Sequence, residues 1–354
     1  MSDPRTIDPA ADTRRYRARL WVILSAGLLL RLAIADWIPT QPVSDFLDYF
    51  HRAVSLARSG DDVLRPGLPD ASHPPAYPIA LSIAIHLAPE RSLLAAKAAN
   101  AVLAMFAAWL GAILARGQWG DGAGLWTAAL FSFFPRSLLM SDLMASENLY
   151  APLLLLFLLL SARRWTAEPS LPLAAAACLV IGLLTLTRSV AYFLPVVWLA
   201  GVAAGRGGPR RIAAEFFLLL AVEHAALLPW AIHNARTLGR FTYLSTVGGV
   251  GLYIGNNPNA TGEWYEWAGD LERRRPGVGA RGAIAVDDAA REEAFAWIRA
   301  NPGRAAALYF RKLLLILTDD GFAAGFTIFG ERKSPPDPPP RFCRGLIPSR
   351  RTGG

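Results

Sequence analysis

The stretch RRYRARLWVILSAGLLLRLAIADWI, residues 14–38, decides how the rest of the chain is read. Arg14, Arg15, Arg17 and Arg19 precede an apolar run from Leu20 to Ile38 whose only charged members are Arg31 and Asp36. As a helix that run is long enough to cross about 30 Å of hydrocarbon. Cations crowded on one flank orient such a span with that flank cytoplasmic. No small-residue cleavage site follows, so the segment reads as an uncleaved anchor rather than a removed signal peptide. Arg31 lies in its outer half, where it either snorkels outward or meets an acidic partner.

Composition extends this reading to the whole chain. Of 354 residues, 53% are hydrophobic and 18% charged, with a mean hydropathy of +0.29. A soluble domain of this length needs far more polar surface. The net charge of +8 arises from 36 Lys and Arg against 28 Asp and Glu. Cytoplasmic loop arginines and anionic headgroups account for that excess, so membrane lipid is the expected partner and nucleic acid is not. Cys178 and Cys343 lie too far apart in sequence and environment to suggest a disulfide, and neither has metal-ligand spacing.

Apolar segments then alternate across the bilayer: 93–115, 125–140, 149–162, 171–187, 190–204 and 212–232. Arg116, the pair Arg163 and Arg164, and the group Arg206, Arg210 and Arg211 mark cytoplasmic ends. Residues 39–75 read as a polar loop, and 76–88 as a short re-entrant or interfacial helix on the outer side, too short to span and bracketed by prolines. Making it a span would invert every later segment and expel those arginines. The expected organisation is a basic cytoplasmic N-terminus (1–19), a transmembrane catalytic core (20–232) with an outer loop (39–88), and an extracytoplasmic segment (233–303). A last apolar segment (304–330) and a Pro-rich basic tail (331–354) follow. Within the outer segment, Asp287 to Asn301 has helical spacing and stops at Pro302. The tail reads either as disordered or as the mark of C-terminal spans lost by truncation or frameshift.

Groups with chemical potential collect at the outer ends. Asp45, in Ser44-Asp45-Phe46-Leu47-Asp48-Tyr49, follows the first span directly; a general base there needs only hydrogen-bond reach to its proton. A solvated acid or a helix cap is the plainer account. Glu147 opens an apolar span, where a carboxylate favours the helix N-terminus. Asp142 adds a second carboxylate at that depth. With Asp45 they could hold an acceptor amine or a divalent metal, although no spacing specifies a metal. Arg188 is an outer arginine that breaks the charge rule; it snorkels or binds phosphate. His73, in the rigid run His73-Pro74-Pro75-Ala76-Tyr77-Pro78, touches substrate or metal, or neither. The glycines of 248–255 lack dinucleotide-fingerprint spacing and read as turn-forming.

Taken in order, these motifs resemble the polyprenyl-phosphate-sugar-dependent membrane glycosyltransferases of the GT-C fold, the protein mannosyltransferase and aminoarabinose transferase relatives. The resemblance also rests on Leu186-Thr187-Arg188, Pro229-Trp230-Ala231-Ile232-His233-Asn234, Gly255-Asn256-Asn257-Pro258, and Asn301-Pro302 with Lys312. It implies an all-α polytopic membrane protein, a GT-C-like bundle with the catalytic carboxylate at Asp45. Asp48, His73, Tyr77, Asp142, Glu147, Arg188, His233, Asn234 and Asn256 would bind acceptor or donor, with Arg188 on the lipid phosphate. It implies an extracytoplasmic active face at a bacterial-type plasma membrane, a polyprenyl-phosphate sugar donor and a protein or glycolipid acceptor. His233 stands where such relatives usually carry arginine, and they continue through further spans. The rival expectations are a lipid-linked saccharide transporter, which calls for internal repeats or charges at span centres, and a non-catalytic remnant.

Overall fold

The structure, a computed structural model, describes residues 9–38, 42–65, 68–69, 72–166, 171–204, 208–263 and 265–318. The Pro-rich tail at 331–354, the end of the last apolar segment and Cys343 lie outside these residues. The described chain is helical apart from a two-stranded antiparallel ribbon, β1 (Val63–Arg65) with β2 (Leu68–Pro69). It divides into two compact units: residues up to Leu244 form the first, and Ser245 onward, with Ala71–His73, the second.

The first unit opens with α1 (Pro9–Trp37), which carries the expected first span. The polar stretch expected as a loop instead contains α2 (Asp45–Ser59). Phe46, Tyr49, Phe50, Ala53, Val54 and Ala57 recur at helical spacing and form its apolar face. Gly60 closes it in the left-handed region, its N–H donating to Leu56 O at 3.1 Å. That face packs on Tyr77, Leu81 and Ile85 of α3 (Ala76–Leu87), the short helix bracketed by prolines.

Next comes α4 (Ser92–Phe133), long enough in sequence to cross a membrane twice. Its backbone breaks at Gly120, at φ 84° and ψ −177°. A side chain placed on Gly124 would come within 3.0 Å of Ala112 O, and one on Gly111 within 3.3 Å of Thr127. In a straight helix positions 111 and 127 stand about 24 Å apart. The segment is therefore a helical hairpin, two antiparallel arms joined at Gly120, in keeping with separate runs at 93–115 and 125–140. Tyr16 of α1 packs on the hairpin tip with Arg116 over its ring at 4.0 Å. The basic start of α1 and Arg116 thus share one end of the bundle.

The second arm does not continue to Met140. It stops at Phe133, and α5 (Pro135–Asp142) begins after an extended residue. Pro135 has no N–H, so Phe131 O loses its intrahelical donor. Arg31, 1% exposed, supplies the substitute: its guanidinium donates to Phe131 O at 2.7 Å, Ser132 O at 2.6 Å and Ser137 Oγ at 2.8 Å. It neither snorkels nor meets an acid; it caps a broken helix.

The chain then bends by 120° into α6 (Glu147–Thr166). Asn148 holds the bend by donating to the carbonyls of Met140, Leu143 and Ala145 at 2.9–3.1 Å. Helices α7 (Leu171–Thr185), α8 (Leu194–Ala204) and α9 (Pro209–Leu238) complete the unit around a core of Phe157, Ile181, Leu184, Trp198 and Leu219. Helices at Asp12–Trp37, Pro89–Phe133 and Pro209–Leu238 are long and apolar enough to span a membrane, and the bent pair adds a fourth candidate. Residue 233, expected to begin an outer segment, lies inside α9.

In the second unit, the glycine run expected as turns is α10 (Gly248–Gly255). A side chain on Gly249 would sit 2.0 Å from Asp287 O, so the glycine permits close helix approach. Asp287 Oδ1 accepts the N–H groups of Gly249 at 2.5 Å and Val250 at 3.1 Å, capping the helix. After α11 (Ala268–Arg274) come α12 (Ala283–Ala300), which starts four residues before the expected helix, and α13 (Pro302–Thr318).

Candidate functional site

At the end of the first unit away from Tyr16 and Arg116, three helix termini converge. Ser44, with φ 52°, is the sole non-glycine at positive φ among the described residues. That conformation is costly for a residue with a Cβ and turns the chain abruptly into α2. Asp45 is thereby the first helical residue, exposed, and Asp48 lies half-buried in the same turn. Both acids favour the positive end of the α2 dipole.

Glu147 opens α6, and Arg188 follows α7, its own N–H donating to Leu184 O at 2.8 Å. The two side chains form an ion pair, and Arg188 also donates to Ser146 Oγ at 3.2 Å. Leu186 O accepts the N–H of Ala76 at 2.9 Å, tying the start of α3 to the Leu-Thr-Arg segment.

Tyr49 joins these pieces. Buried on α2, it packs edge-on against Tyr77 with ring centroids 5.3 Å apart. Burial pushes its hydroxyl up to about 12; a hydrogen bond with Ser146 and the charge of Arg188 pull against that, while Asp45 and Glu147 add to it. Through Ser146, Tyr49 links α2, the helix that Asp45 opens, to the Glu147–Arg188 pair. Beside it, a crevice of about 270 Å³ runs between α4, α5 and α6. Phe131, Phe134, Met140 and Pro152 give it an apolar lining, and Arg136 and Glu147 add charged groups. A crevice with a mainly apolar lining and a few charged groups suits an amphiphile.

Other expected site residues lie elsewhere or are engaged in packing. Asp142 is 3% exposed and ion-paired with Lys97 at 2.9 Å, and Lys97 also donates to Ile38 O at 2.9 Å. This pair braces α4 against the ends of α1 and α5, and Lys97 borders a cleft of about 450 Å³ lined also by Asp36, Glu90 and Arg91. Tyr77 is fully buried, and its hydroxyl donates to Asn100 Oδ1 at 3.0 Å. The His233 ring stacks on Trp230 at 5.1 Å, and Arg52, itself bound to Asp62 at 2.6 Å, approaches the other residue of that stack. Asn234 donates to Thr242 O at 2.9 Å, holding the exit from α9. His73 and Asn256 belong to the second unit. The ring Nδ1 of His73 meets Ser72 Oγ at 2.9 Å, and Asn256 donates to Leu252 O at 2.9 Å, one turn back in α10. Among the described residues no three His, Cys, Asp or Glu gather as a metal-ligand set.

Three polar features escaped the sequence reading. Tyr49 was legible in the spacing of α2's aromatics once residues 45–59 are taken as a helix. Glu223 is buried at the middle of α9, with Thr185 Oγ1 3.5 Å away. Glu215, two turns earlier, accepts from Trp198 Nε1 at 2.9 Å and pairs with Arg211 at 3.3 Å. Both glutamates stand in an apolar run whose hydropathy hides single acids. Comparison with protein-family models, curated proteins and solved structures finds no match for this chain.

Proposed function

We propose that the protein is a membrane glycosyltransferase of the GT-C type, transferring a sugar from a polyprenyl-phosphate carrier to a protein or glycolipid acceptor at the extracytoplasmic face. The observation that supports this reading is the Glu147–Arg188 ion pair, joined through Ser146 to Tyr49 on the helix that Asp45 opens. Transfer needs a base for the acceptor and a cation for the departing phosphate, both at the membrane surface. The acceptor oxygen or nitrogen attacks C1 of the sugar as the C1–O bond to phosphate breaks. Asp45 takes the acceptor proton, and the lipid phosphate leaves with both bonding electrons. Arg188 would meet that phosphate by sharing or leaving Glu147, and the crevice beside Glu147 would take part of the lipid chain. Membranes containing the protein should release labelled sugar from a polyprenyl-phosphate donor to an acceptor. Donor left intact under all acceptors tested would sink the proposal.

Buried Glu223 favours a second reading, a transporter of lipid-linked saccharides, because carboxyl groups at span centres mark substrate or proton paths. A transporter moves the conjugate across the bilayer with its sugar–phosphate bond whole. Appearance of free lipid phosphate separates the two.

A further inference from the structure

Helix α13 falls in the last apolar segment expected from the sequence, which contains Arg311 and Lys312. Its 17 described residues rise about 26 Å. Spanning would set Arg311 and Lys312 near the bilayer centre, the costliest depth for a cation. The side chains sort around the helix in another way. Leu308 and Lys312 face inward, where Leu308 is buried and Lys312 Nζ donates to Gly255 O at 2.8 Å. Arg304 donates to Pro258 O at 2.8 Å, which with Lys312 fixes the helix against the rest of its unit. On the opposite face Phe310 and Leu314 are each 63% exposed and Leu317 82% exposed, with Tyr309 and Leu313 beside them. These positions follow i, i+3/i+4, i+7 spacing and make one continuous apolar stripe. Arg311 stands on the flank, 57% exposed at its side chain, with the exposed carboxylate of Glu263 3.9 Å away.

We infer that α13 lies in the plane of the membrane, its Phe310–Leu314–Leu317 stripe immersed among acyl chains and Arg304 and Arg311 on anionic phospholipid headgroups. An apolar stripe flanked by arginines, with a tyrosine at its margin, is the arrangement that binds at an anionic interface. Charge complementarity selects the lipid: cations beside a lipid-facing stripe gain from phosphatidylglycerol what a zwitterionic surface does not offer. This attachment is independent of the transfer reaction. It would hold the second unit against the bilayer.

The test uses the full chain, with Cys343→Ser, in nanodiscs of phosphatidylglycerol or of phosphatidylcholine. Nitroxide labels go singly on Phe310→Cys, Leu314→Cys, Leu317→Cys and Arg311→Cys, all at exposed positions. In phosphatidylglycerol the first three should favour collision with oxygen over an aqueous nickel chelate, at one shared depth of about 5–10 Å. The label at 311 should favour the chelate. In phosphatidylcholine the three depths should become shallower, and Arg304→Gln with Arg311→Gln should abolish the difference between the lipids. A depth that changes steadily from 310 to 317 would show a spanning helix and overturn the inference. Exclusion of both reagents at the three positions would show a protein cover, with the same consequence. Equal depth in both lipids would refute the anionic headgroup as partner.

Discussion

Glu147, the first residue of α6, is ion-paired with Arg188, the residue that follows α7's final turn, across 41 positions of sequence. The pair is half-exposed, so in isolation it stabilises the fold little. Its consequence is positional. In the proposed reaction Arg188, already neutralised by an acid, would exchange that acid for the donor's phosphate without desolvating a bare charge.

That exchange gives the sharpest measurement. Arg188→Gln should weaken binding of a polyprenyl-phosphate sugar by about 1.5–3 kcal/mol, the range for hydrogen bonds to a charged group. Lysine should restore only part, since a point charge does not reproduce the guanidinium fork. Donor affinity measured in detergent decides, and unchanged affinity in both variants would remove the phosphate site.

Asp45→Asn keeps the shape of the side chain and removes the base. Transfer should fall by about 10²- to 10⁴-fold while donor binding persists, and Asp48→Asn should be milder. Full activity of the Asp45 variant in a single-turnover assay would leave that acid as a helix-start residue.

Lys97 and Asp142 supply a contrast, because their pair is buried at both partners. Asp142→Ala leaves an uncompensated ammonium and should cost about 3–5 kcal/mol of stability. Lys97→Met with Asp142→Leu should recover most of it. Thermal unfolding in detergent reads the result; a destabilised single variant with a stable double variant marks a brace, whereas two stable proteins with lost donor binding would make Asp142 a binding residue.

Topology is open to chemistry. With Cys343 replaced, Ser59→Cys and Arg281→Cys should react with an impermeant thiol reagent in intact cells, and Arg163→Cys should not, because basic loops stay cytoplasmic. The reverse pattern would invert the threading and move the active face.

Asp270 makes the second unit acid-sensitive in a defined window. Burial alone would raise its carboxyl, but the Tyr253 hydroxyl at 2.9 Å and the guanidinium groups of Arg274 and Arg273 outweigh it and hold the carboxyl below the ordinary range. A depressed folded value contributes stability that is complete above the unfolded value, about 3.9, and disappears as pH falls through the folded one. Amide exchange in α10 and α11 should therefore stay slow down to about pH 4 and quicken below it. In Asp270→Asn that acid dependence should vanish, and exchange should be faster at neutral pH. An unaltered acid profile in the variant would assign the transition to other groups.

Local and periodic signals made the helices legible: the apolar run after Arg19, the prolines around α3, Pro302 between α12 and α13. Those features act over a few residues, within reach of chain order alone. The candidate residues Asp45, Glu147 and Arg188 stood out for a related reason, because charge at the edge of an apolar run is visible in composition. What chain order did not reveal was which charges meet. Asp142 and Glu147 look equivalent in sequence, yet one is buried on Lys97 and the other faces Arg188. Arg31 looks like a snorkelling cation, yet Pro135, far along the chain, strips Phe131 of its donor and calls the guanidinium inward. Glycines 248–251 suggest turns, but close packing of Asp287 favours a helix there. In each case the outcome depends on a partner brought near by packing, and the energy of burying a polar group is set by that partner rather than by sequence neighbours. Hydropathy and spacing belonged to the sequence; pairing, burial and the meeting of three helix ends around Tyr49 belonged to the tertiary structure.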